Sequence, residues 1–354
     1  MSNLDLYCDH NATRPMNGYV RKVFFDAVDN YWANSYSPHS LGREASNAVD
    51  RARNHLAAMV GCSPRAIRFT SGATESNAWV MSAVRSLGKP NVLVSSIEHP
   101  SVLQWGTQFA KVDANGLVCL HQLEEEILRL GSSLGVVSVM AANNETGVIQ
   151  PIEDIYQICR RHNVLFHCDA TQVFDRISIV LQADFITLSG HKFGGPKGIG
   201  ALCVATEIPP LLLGGPQERE TRAGTHNVPA IVGMGAAAER VTAMSSAKRD
   251  KLEQACKRLG GVILGDGVER LPNTSSVLFP YPGDLVVMAL DLRGVQASTG
   301  SACSSGAAKQ SHVLEAMSKQ GTPVRFSIAR ETDIESVIKC LEDVIRNLEG
   351  VCEL

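Results

Sequence analysis

Two neighbouring stretches decide the fold: Val164-Leu165-Phe166-His167-Cys168-Asp169-Ala170-Thr171-Gln172 and Phe185-Ile186-Thr187-Leu188-Ser189-Gly190-His191-Lys192. Each is a short apolar run, too short for a helix, that breaks into polar residues at its carboxyl end. In an open α/β sheet, ligands bind outside the carboxyl ends of the strands, so Asp169 and Lys192 stand where chemistry is done. An acid at a strand end is also a common helix cap, and Asp169 alone would be read that way. A lysine at an apolar strand–glycine junction is less ordinary. Desolvation there lowers its pKa and lets its amine condense with a carbonyl.

Working outward, further apolar runs at Ala66–Thr70, Asn91–Ser95, Gly135–Met140 and Gly200–Val204 alternate with helix-like segments. This pattern predicts βα units building a mainly parallel sheet flanked by helices on both faces. Beyond residue 245 the texture changes to an amphipathic helix (Ala247–Leu259), strands near Ser275–Phe279 and Val324–Ile328, and a closing helix (Asp333–Leu348). We therefore expect an α/β protein with a large domain over residues 14–245. A smaller α+β domain is expected from residues 1–13 and 246–354.

After the run ending at Thr70 comes Ser71-Gly72-Ala73-Thr74-Glu75-Ser76-Asn77, small residues opening a helix directly behind a strand. Free N–H groups there suit an anion, with Ala73 and Thr74 the candidate donors; a plain helix start is the alternative. A phosphate cradle, a carboxylate (Asp169) and an amine (Lys192) are together the groups that hold pyridoxal phosphate. His99, in Ile97-Glu98-His99-Pro100 after the Asn91–Ser95 run, is a candidate to stack on such a ring, with a structural histidine at a strand end as the alternative.

Three further features complete the reading. Cys303 sits in Gly300-Ser301-Ala302-Cys303-Ser304-Ser305-Gly306, a Gly/Ser setting unlike the apolar surroundings of most other cysteines. Arg330 closes Val324-Arg325-Phe326-Ser327-Ile328-Ala329-Arg330 and suits carboxylate capture, or a surface ion pair. Gly233-Met234-Gly235-Ala236-Ala237-Ala238 matches a dinucleotide fingerprint, but in a helix-like segment where close packing explains the glycines.

Composition fits small-molecule chemistry. The 354 residues carry 33 Lys+Arg against 36 Asp+Glu, 44% hydrophobic and 19% charged residues, so broad attraction to nucleic acid or an anionic membrane is not expected. No apolar run approaches the roughly 20 residues of a membrane span, and the N-terminus lacks an apolar leader. Ten cysteines without a C-x-x-C pair or zinc spacing point to free thiols, no metal and a cytoplasmic setting.

The chain resembles the cysteine desulfurases of the NifS/IscS type, pyridoxal phosphate enzymes of the class V aminotransferase group with the type I fold. The resemblance runs from Tyr7-Cys8-Asp9-His10-Asn11-Ala12-Thr13 to Arg330. It passes through His39–Glu44, Thr70–Asn77, Asn143-Asn144-Glu145-Thr146-Gly147, Asp169–Gln172, Ser189–Lys192, Arg222–Thr225 and Gly300–Gly306. It implies that Lys192 binds the cofactor aldehyde as an imine, His99 stacks on the ring, Asp169 pairs with the pyridinium and Gln172 contacts the ring oxygen. Ala73, Thr74, Ser189 and His191 would hold the phosphate, and Thr225 would reach the phosphate of a neighbouring subunit, implying a homodimer. Asn144 and Arg330 would grip the carboxylate of L-cysteine, and Cys303 would take its sulfur as a persulfide, leaving alanine.

The chain between Cys303 and Arg325 is shorter than is usual in that family, so the sulfur-acceptor protein stays open. Iron–sulfur cluster assembly, tRNA thiolation, DNA phosphorothioation and cofactor synthesis are all candidate destinations. A selenocysteine lyase, an aminotransferase or another lyase on the same scaffold is the alternative, since the cofactor cradle serves many reactions.

Overall fold

The computed structural model describes residues 5–300 and 310–352. Seven strands form one sheet: β1 (Ile67–Thr70), β2 (Asn91–Ser95), β3 (Gln108–Ala110), β4 (Leu134–Ser138), β5 (Leu165–Asp169), β6 (Phe185–Ser189) and β7 (Gly200–Val204). Their order is β1-β7-β6-β5-β4-β2-β3, parallel from β3 through β6, with β7 antiparallel to both its neighbours. The expected strands are present within a residue or two. The short β3, with the exposed Phe109 at its centre, shows no apolar run in sequence.

Strands β4, β6 and β7 are buried at every position because helices cover both faces. One face packs Leu93, Val137, Phe166 and Leu188 against α2 (Ser40–Val60) and the helix Val228–Ala238, on which α1 (Gly18–Asn30) also packs; the other packs Val92, Val136 and Phe185 under Trp79 of α3 (Ala73–Ser86). Gly233 and Gly235 lie inside the helix Val228–Ala238, where a Cβ on Gly235 would come within 2.5 Å of Ala52 on α2. Gly235 lets two helices touch and Gly233 makes room for the Pro196 ring, 2.7 Å from where a Cβ would stand, so close packing explains both and the dinucleotide alternative falls.

A second sheet, β10 (Val324–Ser327), β9 (Thr274–Leu278) and β8 (Val262–Ile263), is antiparallel and packs on the helices Ala247–Arg258 and Ile334–Cys352. Residues near the N-terminus join it: Tyr7 bridges Gln296, Asp9 bridges Ser327, and Cys8 lies in its core. The helix His312–Ala316 falls within the stretch expected in the smaller domain, yet Val313 and Met317 pack into the core under the large sheet. This brings Ser311 and His312 to the large sheet.

Candidate active site

The carboxyl ends of β1, β5 and β6 open on one cleft of about 650 Å³. Lys192 enters it from the single turn after β6 and is partly buried, its Nζ donating to the Asn11 carbonyl at 2.6 Å. Burial lowers its pKa to about 8, helped by the Arg176 and Arg325 guanidinium groups and opposed by Asp169 and Asp9. Asp169, 5% exposed at the end of β5, accepts from Asn77 Nδ2 at 2.9 Å and from the Thr171 N–H at 3.0 Å.

His99 lines the same cleft, its Nδ1 accepting from the Ser101 N–H at 3.1 Å. Burial first, then Lys192 and His312, hold its pKa below the usual value against the pull of Asp169, so the ring is neutral. His191 is held down to about 4 by burial, Lys192 and Lys197, and bonds Thr13 Oγ1 through Nδ1 at 3.1 Å.

Helix α3 begins at the cleft with Gly72 as its N-cap and no capping side chain, so its first-turn N–H groups are free for an anion. Gly200, opposite both Thr70 and Ser189, packs flat against this turn: a Cβ there would lie 2.6 Å from Gly72 Cα. A side chain would push the turn out of place.

The expectation for Arg330 is corrected. Strand β10 ends at Ser327, and Arg330 lies beyond it in a turn closed by Ala329 N–H donating to Thr332 Oγ1 at 2.9 Å. Its guanidinium is spent on Asp175 (3.2 Å) and Thr242 Oγ1 (2.7 Å), away from the cleft. Arg325 lines the cleft instead, because alternation along β10 turns Arg325 and Ser327 to one side and Phe326 into the core beneath the second sheet. It is 2% exposed, donates to Asp9 Oδ1 (2.5 Å) and to the Asn144 (3.0 Å) and Gly300 (3.1 Å) carbonyls, and leaves Nε without a protein partner.

Ala73, Thr74, Asn144, Gln172 and Ser189 all line the cleft. Thr225 is exposed on the loop before the helix Val228–Ala238, outside it. Cys303 lies outside the described residues; Gly300 and Gln310, Ser311 and His312, on either side of its segment, line the cleft. The sequence reading missed Asn11, whose carbonyl takes Lys192 and Gln172 Nε2 while its amide donates to Thr274 Oγ1 and the Asn144 carbonyl. It also missed Asn77 and Arg325. All three lie in segments quoted as motifs, but only their contacts reveal their tasks.

The pocket suits pyridoxal phosphate on three counts of its own. Gln172, 4% exposed, leaves Oε1 without a partner; the uncapped α3 turn offers N–H groups to a phosphate; and a buried carboxylate and a lysine of lowered pKa face the same space.

The fold and these groups define a class. Residues 6–339 match the model of the family described as aminotransferase class-V, and the chain belongs to that family, whose members are pyridoxal phosphate-dependent enzymes. A relative called cysteine desulfurase from Trichormus azollae is 36% identical over 379 residues, spanning 98% of this chain and 94% of the relative. Among solved structures, one titled NifS-like protein superposes with a TM-score of 0.89 at 32% identity, covering 98% of this chain and 100% of that one. One titled SspA in complex with cysteine gives 0.81 at 32% identity, covering 91% and 98%.

Proposed function

We propose that this chain is a cysteine desulfurase that converts L-cysteine to L-alanine and takes the sulfur as a persulfide on Cys303. The observation that carries the reading is convergence. Lys192, Asp169, the uncapped start of α3 and the buried Arg325 face one cleft, and that cleft is lined by residues flanking the Cys303 segment.

Pyridoxal phosphate, when bound, supplies an aldehyde for the substrate amine and a ring that withdraws electrons from Cα. The α3 turn, with Thr74, Ser189 and His191, holds the phosphate, and Asp169 keeps a proton on the ring nitrogen. His99, neutral, covers the ring face, and Gln172 orients the ring oxygen. Lys192 moves a proton at the substrate Cα, a task its lowered pKa fits near neutral pH. Arg325 and Asn144, rather than Arg330, orient the substrate carboxylate, with the free Arg325 Nε as one donor. The Cys303 thiolate attacks the substrate sulfur; the carbon–sulfur bonding electrons stay with carbon, and the three-carbon product leaves as alanine.

A homodimer in which Thr225 reaches the neighbouring subunit's phosphate agrees with its position outside its own cleft, and a sulfur-acceptor protein relieves the persulfide. Among the described residues no helix is long and apolar enough to cross a membrane. The test is alanine release from L-cysteine by protein loaded with pyridoxal phosphate in the presence of a thiol, beside the Cys303→Ala variant. Alanine from the unsubstituted protein alone supports the proposal. Equal alanine from both would show that Cys303 does not take the sulfur, and a 2-oxo acid in place of alanine would assign the scaffold to an aminotransferase.

A further inference from the structure

Away from the cleft, two cysteines meet. Strand β7 runs from Gly200 at the cleft toward the opposite rim of the sheet, and Cys203 lies on it opposite Ile67 of β1 and Ile186 of β6. Helix α2 ends near that rim at Gly61, a left-handed cap (φ 81°), and the next N–H, from Cys62, returns to the Ala57 carbonyl at 3.0 Å. The cap turn brings the Cys62 thiol within hydrogen-bonding reach of the Cys203 thiol. Both line a second cavity of about 480 Å³, with Arg65, Tyr156, Leu181 and Glu207 around it.

The two thiols differ in mobility and access. Cys203 is 4% exposed and fixed by strand pairing on both sides, whereas Cys62 is partly exposed on the turn that follows the helix cap. The Cys203 contact outweighs burial and lowers the Cys62 pKa, while that same contact and burial raise that of Cys203. By contrast, burial pushes the thiols of Cys8, Cys159 and Cys256 up to about 12. A partly exposed thiol beside a second thiol, the two lining one cavity, is the arrangement of a redox-active pair.

We propose that Cys62 and Cys203 form a thiol oxidation site, separate from the catalytic cleft, in which a hydroperoxide oxidises Cys62 and Cys203 resolves the product as a disulfide. In the first step the Cys62 thiolate attacks the terminal peroxide oxygen; the O–O bond breaks, the hydroperoxide is reduced to its alcohol or water, and Cys62 becomes a sulfenic acid. In the second, the Cys203 sulfur attacks Cys62 Sγ, an S–S bond forms, and the Cys203 proton leaves with the hydroxyl as water. The bond ties the α2–β1 connection to the interior strand β7 and closes a long loop.

The test uses the cofactor-loaded protein treated with hydrogen peroxide, then alkylated, digested and read by mass spectrometry peptide by peptide, so that oxidation at Cys303 does not interfere. We expect a cross-linked peptide pair joining Cys62 and Cys203, reversed by dithiothreitol, and an unfolding temperature several degrees higher in the oxidised form. In Cys203→Ala a dimedone adduct should accumulate on Cys62 at least about tenfold faster than on the partly exposed Cys340. Cys62→Ser, altered only on the cap turn, should leave Cys203 unmodified. Absence of the cross-link in the unsubstituted protein, or dimedone labelling of Cys62 no faster than of Cys340, would overturn the proposal. The site stands apart from the desulfurase reading: a chain that makes no alanine still forms the cross-link.

Discussion

Asn77 Nδ2 donates to Asp169 Oδ2 at 2.9 Å, joining the helix that opens the anion cradle to the carboxylate at the end of β5. One amide thus couples the two ends of the cofactor site. It leaves Asp169 Oδ1 to the Thr171 N–H and fixes which way the carboxylate faces.

Replacing Asn77 with leucine removes a hydrogen bond to a charged group, about 1.5–3 kcal/mol, and should weaken cofactor retention roughly 10- to 100-fold. Equilibrium dialysis of pyridoxal phosphate against the variant measures this. On the proposed role of Asp169 as holder of the ring proton, Asp169→Asn should lose more turnover than retention; equal losses would count against that role.

Arg325 and Arg330 should separate in kinetics. Arg325→Gln is expected to raise KM for L-cysteine by about 10- to 100-fold, the worth of a charge-assisted hydrogen bond. Arg330→Gln should change KM less than about twofold and cost on the order of 1 kcal/mol of stability through its partly exposed pair with Asp175. A large KM effect at Arg330 with none at Arg325 would assign the substrate carboxylate to Arg330 instead.

Covalent uptake of the cofactor by the apoprotein should depend on pH through Lys192. Only the unprotonated amine attacks an aldehyde, and its pKa is lowered from 10.5 to about 8, so the rate should rise through pH 8 and level above it. Stopped-flow absorbance of the imine follows the rate. A midpoint near 10 would mean that the amine is not desolvated as the structure has it.

Glu98 lies fully buried beneath the site, its Oε1 accepting from Ser95 Oγ at 2.5 Å and the Met140 N–H at 2.7 Å. Burial raises its pKa from 4.5 to about 8, so the folded state binds the extra proton and stability falls as pH rises from about 4.5 through 8. Glu98→Gln carries no such proton. Its unfolding temperature should gain on that of the unsubstituted protein over this range, and parallel curves would place the titration elsewhere.

Much of the fold and of the site is legible in the sequence. The runs at Asn91–Ser95 and Gly200–Val204 coincide with β2 and β7, because strands covered on both faces must be apolar throughout. Lys192, Asp169 and the start of α3 were found because strand ends in such a sheet are where side chains become free to act. Arg330 was misplaced because Arg325 and Arg330 flank one strand end, and the residue at which β10 stops decides which guanidinium turns inward. Asn11 was passed over because its work is done largely by a main-chain carbonyl, which carries no residue-type signal.

Sequence alone determined most of the strands, the sheet's mainly parallel character and the chemical types available, since these follow from local periodicity and from which side chains can carry a charge, an amine or a thiol. Only the tertiary structure decided which of them share a space. The N-terminal Asn11, the β10 arginine and the residues on either side of the Cys303 segment reach the cleft across hundreds of residues of chain. The Cys62–Cys203 pair exists because a helix cap and an interior strand, remote in sequence, arrive at the same rim. Such meetings are fixed by packing and burial, which no local pattern encodes.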